Sequence, residues 1–490
     1  MKIAIDGVFF QMYRTGIARV WRSLLEEWAQ SEFVKNIIVL DRVGSAPKFP
    51  GINYVTIPPY DYGNTDADRE MLQQVCDQEG VNLFISTYYT TPLSTPSVFM
   101  AYDMIPEILW ADFNQPMWRE KHRGIHHASA YISISQNTAN DLVKVFPHIS
   151  PNLVTVAHCG IAQDFIPASL AEIQAFKLQY GITKPYFLLV GIAGIYKNAI
   201  LFFKAFAQLF SRPGFDIIIC TGNRLDFEVD FRSYTSGSIV HLLELTDAEL
   251  RVAYSGAIAL IYPSKYEGFG LPILEALACG CPVITCPNAS IPEVAGDATL
   301  YVKDDDVDQL TEALCDVQKP KVRQTLIAAG LQQAQKFSWS KMAQTVSEAL
   351  IKTSLSHLNL KEINLIIFPD WCVPEESLGL ELEQVIRAIA THPDKSHITL
   401  LIETSNINQE DVNFALSSVA MNLLMQEDLD VTEGPEIYLT GNLSEIQWQF
   451  LCTRISARIV LEQENQDAIA LFTLAELPIC SLSTIPKLSR

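Results

Sequence analysis

Short apolar runs alternate with amphipathic helical patterns through the first part of the chain. The pattern "GIARVWRSLLEEWAQ" (16–30) places these apolar side chains on one helical face: Ile17, Val20, Leu24, Leu25 and Trp28. Before residue 160 the strand-like runs are "KIAID", "NIIVL", "NLFIST", "SVFMAYD", "AYISIS" and "LVTVA". Strands that alternate with helices are typical of a parallel sheet covered on both faces. We therefore predict a doubly wound, Rossmann-like α/β domain over residues 1–174.

A second series of the same kind follows a polar stretch that ends near residue 175. Its strand-like runs are "YFLLVG", "DIIICTG", "SIVHLL", "AIALIY", "PVITC" and "TLYV". This pattern predicts a second doubly wound domain over residues 175–337. Ligands of such sheets bind outside the carboxyl ends of the strands. We therefore expect the two domains to present those ends to a shared cleft.

Residues 361–490 carry a third α/β pattern, which aligns with the second domain as a repeat. "INLIIFPDW" aligns with "YFLLVGIAG", which pairs Ile363 with Tyr186, and "EIYLTGNLSEIQWQF" aligns with "SIVHLLELTDAELRV". "NQDAIA" replaces "GFGLPI", so the copy lacks the glycine turn of the second domain. We predict an accessory parallel sheet of about four or five strands without an active site. An unrelated small α/β module is the alternative.

Charge is distributed unevenly along the chain. Residues 361–490 hold 20 acidic and 7 basic residues, a net charge of −13, whereas the other 360 residues carry −8. This balance disfavours nucleic acid as a partner, and the acidic segment would repel a diphosphate or an anionic membrane. The remaining roles for the acidic segment are contact with another protein and a contribution to solubility.

The sequence also indicates a compartment. The chain starts without the pattern of an export signal, and its apolar runs are too short to cross a bilayer. None of the ten cysteines forms a CxxC motif, which favours reduced thiols over a zinc site. We expect a cytoplasmic protein with at most peripheral contact at the inner face of a membrane.

Candidate chemistry lies in "YEGFGLPILEALACG" (266–280), where a strand is followed by a loop with two glycines and a helix. Pro272 suits the first turn of that helix, and Gly280 suits its end. Glu267 in the loop and Glu275 in the helix carry carboxylates, which accept hydrogen bonds from vicinal hydroxyls. The spacing therefore indicates a hydroxyl-rich ligand.

The backbone of the same loop favours an anionic ligand, because unpaired N–H donors and the helix dipole meet at a helix N-terminus. The residues that present these N–H groups are Gly268, Phe269, Gly270 and Leu271. A ligand with hydroxyl groups on both sides of a phosphate is typical of a sugar nucleotide. A helix-capping loop with two solvated glutamates and an exposed aromatic ring is an equally good interpretation of the residues alone.

"EGFGLPILEALACGCPVI" (267–284) resembles the signature of retaining glycosyltransferases of the GT-B fold, family 4 (glycosyl transferases group 1), in which Glu-x7-Glu brackets the donor. The resemblance extends to "VGIAGIYKN" (190–198), "YDMIPE" (102–107) and "TGIARV" (15–20). It implies a GT-B architecture, with two Rossmann-like domains facing a cleft and a closing helix at 338–355 that returns to the first domain.

The resemblance also implies roles for individual residues. Glu275 would hold the ribose hydroxyls, and Glu267 would contact a hydroxyl of the transferred sugar. Lys197 would neutralise the diphosphate as it leaves, and Asp103 would face the donor sugar from the first domain. The remaining donor-binding positions are Gly16, Tyr196, Gly268, Phe269, Gly270 and Leu271.

Two positions depart from the family pattern. Tyr196 stands where the family commonly has Arg, so one of two phosphate cations is missing, and Arg14 and Arg19 are candidates to replace it. Tyr102 stands where the family commonly has His, and a tyrosine donates a hydrogen bond but carries no charge at neutral pH. These departures bear on rate and sugar choice more than on the class of reaction.

The resemblance implies a retaining transferase that moves a sugar from a nucleoside diphosphate sugar to a glycan, lipid-linked or small-molecule acceptor. The products would be cell-surface polysaccharides or glycoconjugates. The acidic run at 303–308 is predicted to be a solvated helix start and not an Asp-x-Asp site, so we expect no metal and no other cofactor. The basic stretch "WREKHRGIHH" (118–127) is predicted to be a solvated face, with contact to an anionic acceptor as the alternative. A catalytically inactive, sugar-nucleotide-binding partner subunit is the alternative function.

Overall fold

A computed structural model describes residues 1–12, 16–109, 111–192, 194–220, 233–431, 434–471 and 477–488. Arg14 lies outside the described residues, as do Thr15 and Ala193 of the family-like motifs. The chain divides into two compact units, Ile3–Ser347 and Glu348–Arg490, the latter together with Met1–Lys2. The first unit contains two parallel sheets, and the second unit contains a third.

The first sheet lies in the N-terminal domain. Its strands are β1 (Ile3–Asp6), β2 (Ile37–Arg42), β3 (Asn53–Ile57), β4 (Leu83–Ser86), β5 (Ser97–Ala101), β6 (Ala130–Ser133) and β7 (Val154–Val156). The helices between them are α1 (Val8–Met12), α2 (Gly16–Ala29), α3 (Thr65–Glu79), α4 (Ile105–Ile108), α5 (Pro116–His127) and α6 (Gln136–Val145). The described strands pair in parallel in the order β3-β2-β1-β4-β5-β6-β7. This is the predicted doubly wound arrangement.

The second sheet has the same architecture. Its strands are β8 (Tyr186–Val190), β9 (Asp216–Cys220), β10 (Val240–Leu243), β11 (Leu260–Tyr262), β12 (Val283–Thr285) and β13 (Leu300–Tyr301). The helices around it are α7 (Leu170–Gln179), α8 (Ala199–Gln208), α9 (Asp247–Gly256), α10 (Leu271–Ala278), α11 (Ile291–Ala295), α12 (Val307–Asp316) and α13 (Pro320–Ala334). Across the residues described, the strand order is β10-β9-β8-β11-β12-β13. The order reverses between β8 and β11, which is where such sheets open a binding crevice.

The helix α14 (Trp339–Ser354) follows the second sheet. Trp28 on α2 donates its indole N–H to the carbonyl of Ala343 (3.2 Å) and to the hydroxyl of Ser347 (2.8 Å), both on α14. The predicted apolar face of α2 is confirmed, because its members are buried and only Ile17 is half-buried. The part of α14 that belongs to the first unit is therefore fixed to the N-terminal domain.

The third sheet lies in the second unit. Its elements are β14 (Ile363–Ile367), α15 (Glu375–Ala390), β15 (Ile398–Ile402), α16 (Gln409–Glu427), β16 (Glu436–Leu439), α17 (Glu445–Cys452), β17 (Ala457–Ile459), α18 (Gln466–Leu471) and β18 (Ile479–Cys480). In the described part of this unit the strands pair in parallel in the order β16-β15-β14-β17-β18. That order matches β10-β9-β8-β11-β12 position by position, which agrees with the predicted repeat.

Local details of the two sheets also correspond. The helix before the fourth strand begins with a capping box in both, formed by Thr246 and Glu249 in α9 and by Ser444 and Gln447 in α17. The alignment of the first strands is shifted by one residue from the prediction. Phe187 and Leu189 of β8 face the core that holds α8, whereas Leu365 and Ile367 of β14 face the core that holds α15. Tyr186 therefore corresponds to Asn364 and not to Ile363.

Within the described ranges, no helix is both long enough and apolar enough to span a membrane.

Candidate active site

The glycine turn connects β11 to α10. Gly270 forms the N-cap of α10 with a φ of 109°, a conformation that glycine adopts without strain, and Pro272 lies in the first turn as predicted. Gly268 lies against the N-terminal domain. A Cβ atom on Gly268 would be 1.9 Å from the carbonyl oxygen of Tyr102, so a side chain there would force the domains apart. Glycine at 268 is therefore required by contact between the two domains.

Lys197 and Glu267 form an ion pair at the carboxyl ends of β8 and β11, where the strand order reverses. The Lys197 ammonium lies 2.8 and 2.9 Å from the two carboxylate oxygens of Glu267 and 3.0 Å from the hydroxyl of Tyr262. Lys197 precedes Asn198, whose side-chain amide donates to the carbonyls of Pro263 (3.2 Å) and Asp304 (2.8 Å) and thereby fixes the start of α8. Glu267 is only 7% exposed. The pair places a cation and a carboxylate at the crevice.

Asp103 and Tyr196 lie next to this ion pair. Burial raises the pKa of Tyr196, and the negative charges of Glu267 and Asp103 raise that pKa further, so the phenol is neutral at pH 7. Burial also raises the pKa of Asp103, opposed by the Lys121 ammonium and the backbone N–H of Ile105. The structure therefore brings together Asp103, Tyr196, Lys197 and Glu267 from both domains.

Glu275 is the second carboxylate of the motif and is 2% exposed. One of its oxygens accepts a hydrogen bond from the Tyr254 hydroxyl (3.0 Å), and the other pairs with the guanidinium of Arg19. Burial raises the pKa of Glu275, opposed by Arg19 and Tyr254. The interpretation of two solvated glutamates is therefore wrong, because Glu267 and Glu275 are both buried and paired.

Gly16 and Phe269 lie beside the glycine turn. A Cβ atom on Gly16 would be 3.6 Å from the Leu271 side chain, so the first loop of the N-terminal domain reaches the start of α10. The helix-capping interpretation has an exposed aromatic ring at Phe269, but this side chain is buried, with only 3% of its surface exposed. Its ring centre lies 6.0 Å from that of His158 and 5.8 Å from that of Phe337. The aromatic side chain therefore packs into the interior, and only the backbone of Phe269 belongs to the turn.

Tyr102 does not take the place of a cleft histidine. Its side chain is buried, donates to the carbonyl of Thr87 (2.8 Å) and accepts from the indole N–H of Trp21 (2.5 Å). The residue directly follows β5, and side chains alternate between the two faces of a strand. That alternation turns Tyr102 into the core while its neighbour Asp103 faces the crevice.

The basic stretch on α5 is not the solvated face that its composition predicts. Lys121 is 1% exposed and donates to Glu107 (2.7 Å) and to the carbonyl of Asp103 (3.0 Å). His122 contacts the other oxygen of Glu107 at 3.1 Å, and His126 stacks on His148. Lys121 therefore holds the Asp103 loop in place instead of meeting solvent.

Contacts between the two domains include several that the sequence did not indicate. Glu293 on α11 accepts hydrogen bonds from the backbone N–H groups of Gln136 and Asn137 (both 2.7 Å) at the N-terminus of α6. His158 lies 3.0 Å from the same carboxylate. The Thr138 hydroxyl donates to the carbonyl of Gly268 (3.2 Å). Sequence reasoning could not find these contacts, because their partners are far apart in the chain and belong to no local motif.

Chemically, the described residues of the crevice include the cations Lys197 and Arg19, two buried carboxylates and the N-terminus of α10. This combination suits a ligand with both hydroxyl and phosphate groups. In the described ranges of the chain, no group of three or more His, Cys, Asp or Glu side chains is arranged to hold a metal ion. Independence of metal stays a prediction.

The two facing Rossmann-like sheets, with a crevice at the strand carboxyl ends, define the GT-B fold of glycosyltransferases. WaaG, a glycosyltransferase involved in lipopolysaccharide biosynthesis, aligns with a TM-score of 0.58 over 71% of this chain and 99% of its own, at 16% identity. Anabaena HepE, solved with UDP and glucose, aligns with a TM-score of 0.57 over 71% of this chain and 99% of its own, also at 16% identity. The predicted fold class is confirmed.

Sequence comparison finds similarity in the second domain. Residues 172–333 match the model of glycosyl transferases group 1. O-antigen chain mannosyltransferase B of Escherichia coli is 31% identical over 242 residues, which cover 48% of this chain and 63% of that protein. Residues 172–333 are therefore similar to a glycosyl transferases group 1 domain, and this segment contains Lys197, Glu267 and Glu275.

Proposed function

We propose that the protein is a retaining glycosyltransferase that moves a hexose from a nucleoside diphosphate sugar to a glycan, lipid-linked or small-molecule acceptor. The observation that carries this proposal is the Lys197–Glu267 pair at the strand-order reversal of a glycosyl transferases group 1 domain, with Asp103 facing it from the other domain. The fold alone would not decide the reaction, because function belongs to the site and not to the fold.

The proposed donor complex uses the residues of both domains. Glu275 accepts hydrogen bonds from the ribose hydroxyls, and Glu267 accepts one from the transferred sugar. The N–H groups at the start of α10 and the Lys197 ammonium face the diphosphate. Gly16 leaves room for the first loop to approach the diphosphate, and Asp103 faces the sugar.

The proposed reaction breaks the bond between the anomeric carbon and the phosphate oxygen and forms a bond to the acceptor oxygen on the same face. The acceptor proton passes to the departing phosphate oxygen. Positive charge develops on the sugar ring in a transition state of oxocarbenium character. Negative charge develops on the leaving phosphate, where Lys197 and the N-terminus of α10 stabilise it electrostatically. These groups supply the positive charge for departure without a metal ion.

Mannose is the first sugar to test, because a mannosyltransferase of O-antigen synthesis is among the relatives. The full-length protein would be incubated with a panel of UDP- and GDP-linked hexoses, and release of nucleoside diphosphate would be measured with and without a metal chelator. The anomeric configuration of the product would be determined by NMR. Turnover with retention, unaffected by the chelator, is expected. Inversion, or no turnover with any member of the panel and a range of glycan acceptors, would contradict the proposal.

An inactive donor-binding subunit is the second candidate, favoured by the neutral Tyr196 beside Lys197. Such a protein would be stabilised against heat by one nucleotide sugar of the panel but would release no nucleoside diphosphate. Thermal shift and turnover measured on the same panel therefore separate the two candidates.

A further inference from the structure

Arg19 reaches from the N-terminal domain across the crevice. It lies in the first turn of α2, and its guanidinium pairs with Glu275 on α10 and with Asp247 on α9 (2.5 Å). The guanidinium carbon lies 5.9 Å from the centre of the Phe165 ring, which supports the extended side chain. Arg19 thus contacts the carboxylate that we propose as the ribose ligand.

Arg19 and a ribose diol would compete for this carboxylate. One oxygen of Glu275 accepts from Arg19 and the other from Tyr254 (3.0 Å), and the side chain is almost fully buried. A vicinal diol donates two hydrogen bonds, one to each carboxylate oxygen. A buried carboxylate must keep partners to offset its desolvation, and the ribose hydroxyls are replacements of the right kind. Binding of the ribose to Glu275 would therefore release the guanidinium.

The released guanidinium would be close to the proposed position of the diphosphate. Arg19 follows Gly16 by three residues and so shares its face of α2, and Gly16 lies against Leu271 at the start of α10. Lys197, also a cation of the crevice, is already paired with both oxygens of Glu267. A guanidinium is the side chain best matched to two phosphate oxygens at once.

We propose that Arg19 is a phosphate-binding residue of the donor site, held on Glu275 and Asp247 before the donor binds and transferred to the diphosphate when the ribose takes its place. This inference rests on the proposed function. If it holds, Arg19 strengthens binding of the diphosphate part of the donor and weakens binding of the ribose part. Removing the side chain deletes a phosphate contact but also removes a competitor of the ribose.

The test compares nucleoside with nucleoside diphosphate binding. Calorimetric titrations of the full-length protein would use guanosine and GDP, and uridine and UDP. For Arg19→Ala, the Kd of the diphosphate is expected to rise by roughly 10- to 100-fold, as for a lost hydrogen bond to a charged group. The Kd of the nucleoside is expected to stay unchanged or to fall.

Two further variants sharpen the result. Asp247→Asn removes one of the contacts that hold Arg19, so both ligands should bind a few-fold more tightly. Arg22→Ala, an exposed position on the same helix, is the matched control and should bind both ligands as the wild type does.

Three outcomes would overturn the proposal. Equal losses for nucleoside and diphosphate in Arg19→Ala would show that Arg19 only shapes the interface between the domains. An unchanged diphosphate affinity in that variant would show that Arg19 does not meet the phosphates. Failure of the wild type and of Arg22→Ala to bind any of the four probes would overturn this inference, whereas the proposed function is overturned only if the donor panel also gives no turnover.

Discussion

Each carboxylate of the glycine-turn motif is buried and paired with a cation from a different part of the molecule. Glu267 pairs with Lys197 of its own domain, whereas Glu275 pairs with Arg19 of the other domain. A buried carboxylate that loses its partner keeps the cost of desolvation. A ligand that displaces either cation must therefore supply hydrogen-bond donors of its own, as a sugar nucleotide does.

We predict that Glu275→Ala raises the Kd of the donor by on the order of 10- to 100-fold, because the ribose hydroxyls lose a charged acceptor. Titration calorimetry with the donor identified by the panel would measure it, and circular dichroism would show that the fold is intact. Glu275→Gln keeps the size of the side chain and should be impaired in the same direction. Glu312→Ala, at an exposed position of the same domain, is the control. Wild-type affinity in Glu275→Ala would disprove the ribose contact.

Lys197→Ala is expected to reduce turnover, because negative charge on the leaving phosphate is greatest in the transition state. The loss of such a contact costs on the order of 3 kcal/mol, which is about 100-fold or more in kcat. Steady-state kinetics would separate kcat from KM. Lys204→Ala, at an exposed position on α8, should have no effect. A change confined to KM would show that Lys197 only binds the donor.

At the level of secondary structure, one helix N-terminus forms part of the candidate site and another joins the two domains. α10 begins at the glycine turn, and its first turn faces the crevice. α6 begins beside Glu293 of the other domain, which accepts two of its unpaired N–H groups. A carboxylate at a helix N-terminus is stabilised by the helix dipole as well as by these hydrogen bonds. The two helices therefore fix the crevice from opposite sides.

The sequence predicted α10 better than it predicted its surroundings. The proline, the glycines and the glutamate spacing are local signals, and α10 begins and ends within two residues of the expected positions. The Arg19–Glu275 and Glu293–Asn137 contacts join residues 256 and 156 positions apart, and no periodicity or capping pattern connects such partners. Tyr102 stands where the family commonly has His, but its side chain is buried and bonded to Trp21 and Thr87, partners that no local pattern indicates.

The capping of α6 by Glu293 predicts a pH dependence. Burial acts to raise the pKa of Glu293, but hydrogen bonds from His158 and from the N–H groups of Gln136 and Asn137 outweigh it, so the pKa is lowered. The stabilisation is therefore fully present above the ordinary glutamate pKa of about 4.3 and is lost as the pH falls through the lowered value.

Hydrogen exchange would measure this loss. The amides of Gln136 and Asn137 should lose protection as the pH falls through that range, and Glu293→Gln should weaken their protection already at neutral pH. The amide of Thr138 is bonded to the Ser135 hydroxyl (3.0 Å) and serves as an internal control within the same helix. Equal changes at all three amides would indicate that α6 unfolds as a whole, and the capping role would be wrong.

On the scale of the whole molecule, the described part of the chain carries three parallel sheets, of which the third repeats the strand order of the second. At the carboxyl ends of the strands of the third sheet, Glu403 and Trp371 form hydrogen bonds within the sheet's own domain. Glu403 is fully buried after β15 and accepts from the backbone N–H of Ser405 (2.7 Å) and from the Asn465 amide (3.2 Å). Trp371 donates to the carbonyl of Glu403 (2.9 Å). A buried carboxylate and an indole thus lie where a diphosphate would approach.

A chain that ends at residue 358 is therefore expected to keep its transferase activity, with a donor Kd within about twofold of the full-length value. The separate segment 361–490 should bind no nucleotide sugar, because it lacks the glycine turn and carries a net charge of −13. Turnover and titration on both pieces would test this. Loss of donor binding in a folded truncated chain, or binding by the separate segment, would contradict it.

The buried polar residue in the first strand of each repeated sheet bears on how two similar domains fold in one chain. Tyr186 in β8 donates its hydroxyl to the carbonyl of Ala253, and Asn364 at the matching position of β14 donates to the carbonyl of Arg454. If the strands exchanged sheets, Asn364 would be too short for its new acceptor, at a cost of about 1–3 kcal/mol for the unpaired amide. Tyr186 would overfill the space of an asparagine, at a similar cost of about 1–3 kcal/mol. These two side chains therefore make strand exchange unfavourable, so that a nascent chain with two sheets of one topology is directed to a single arrangement.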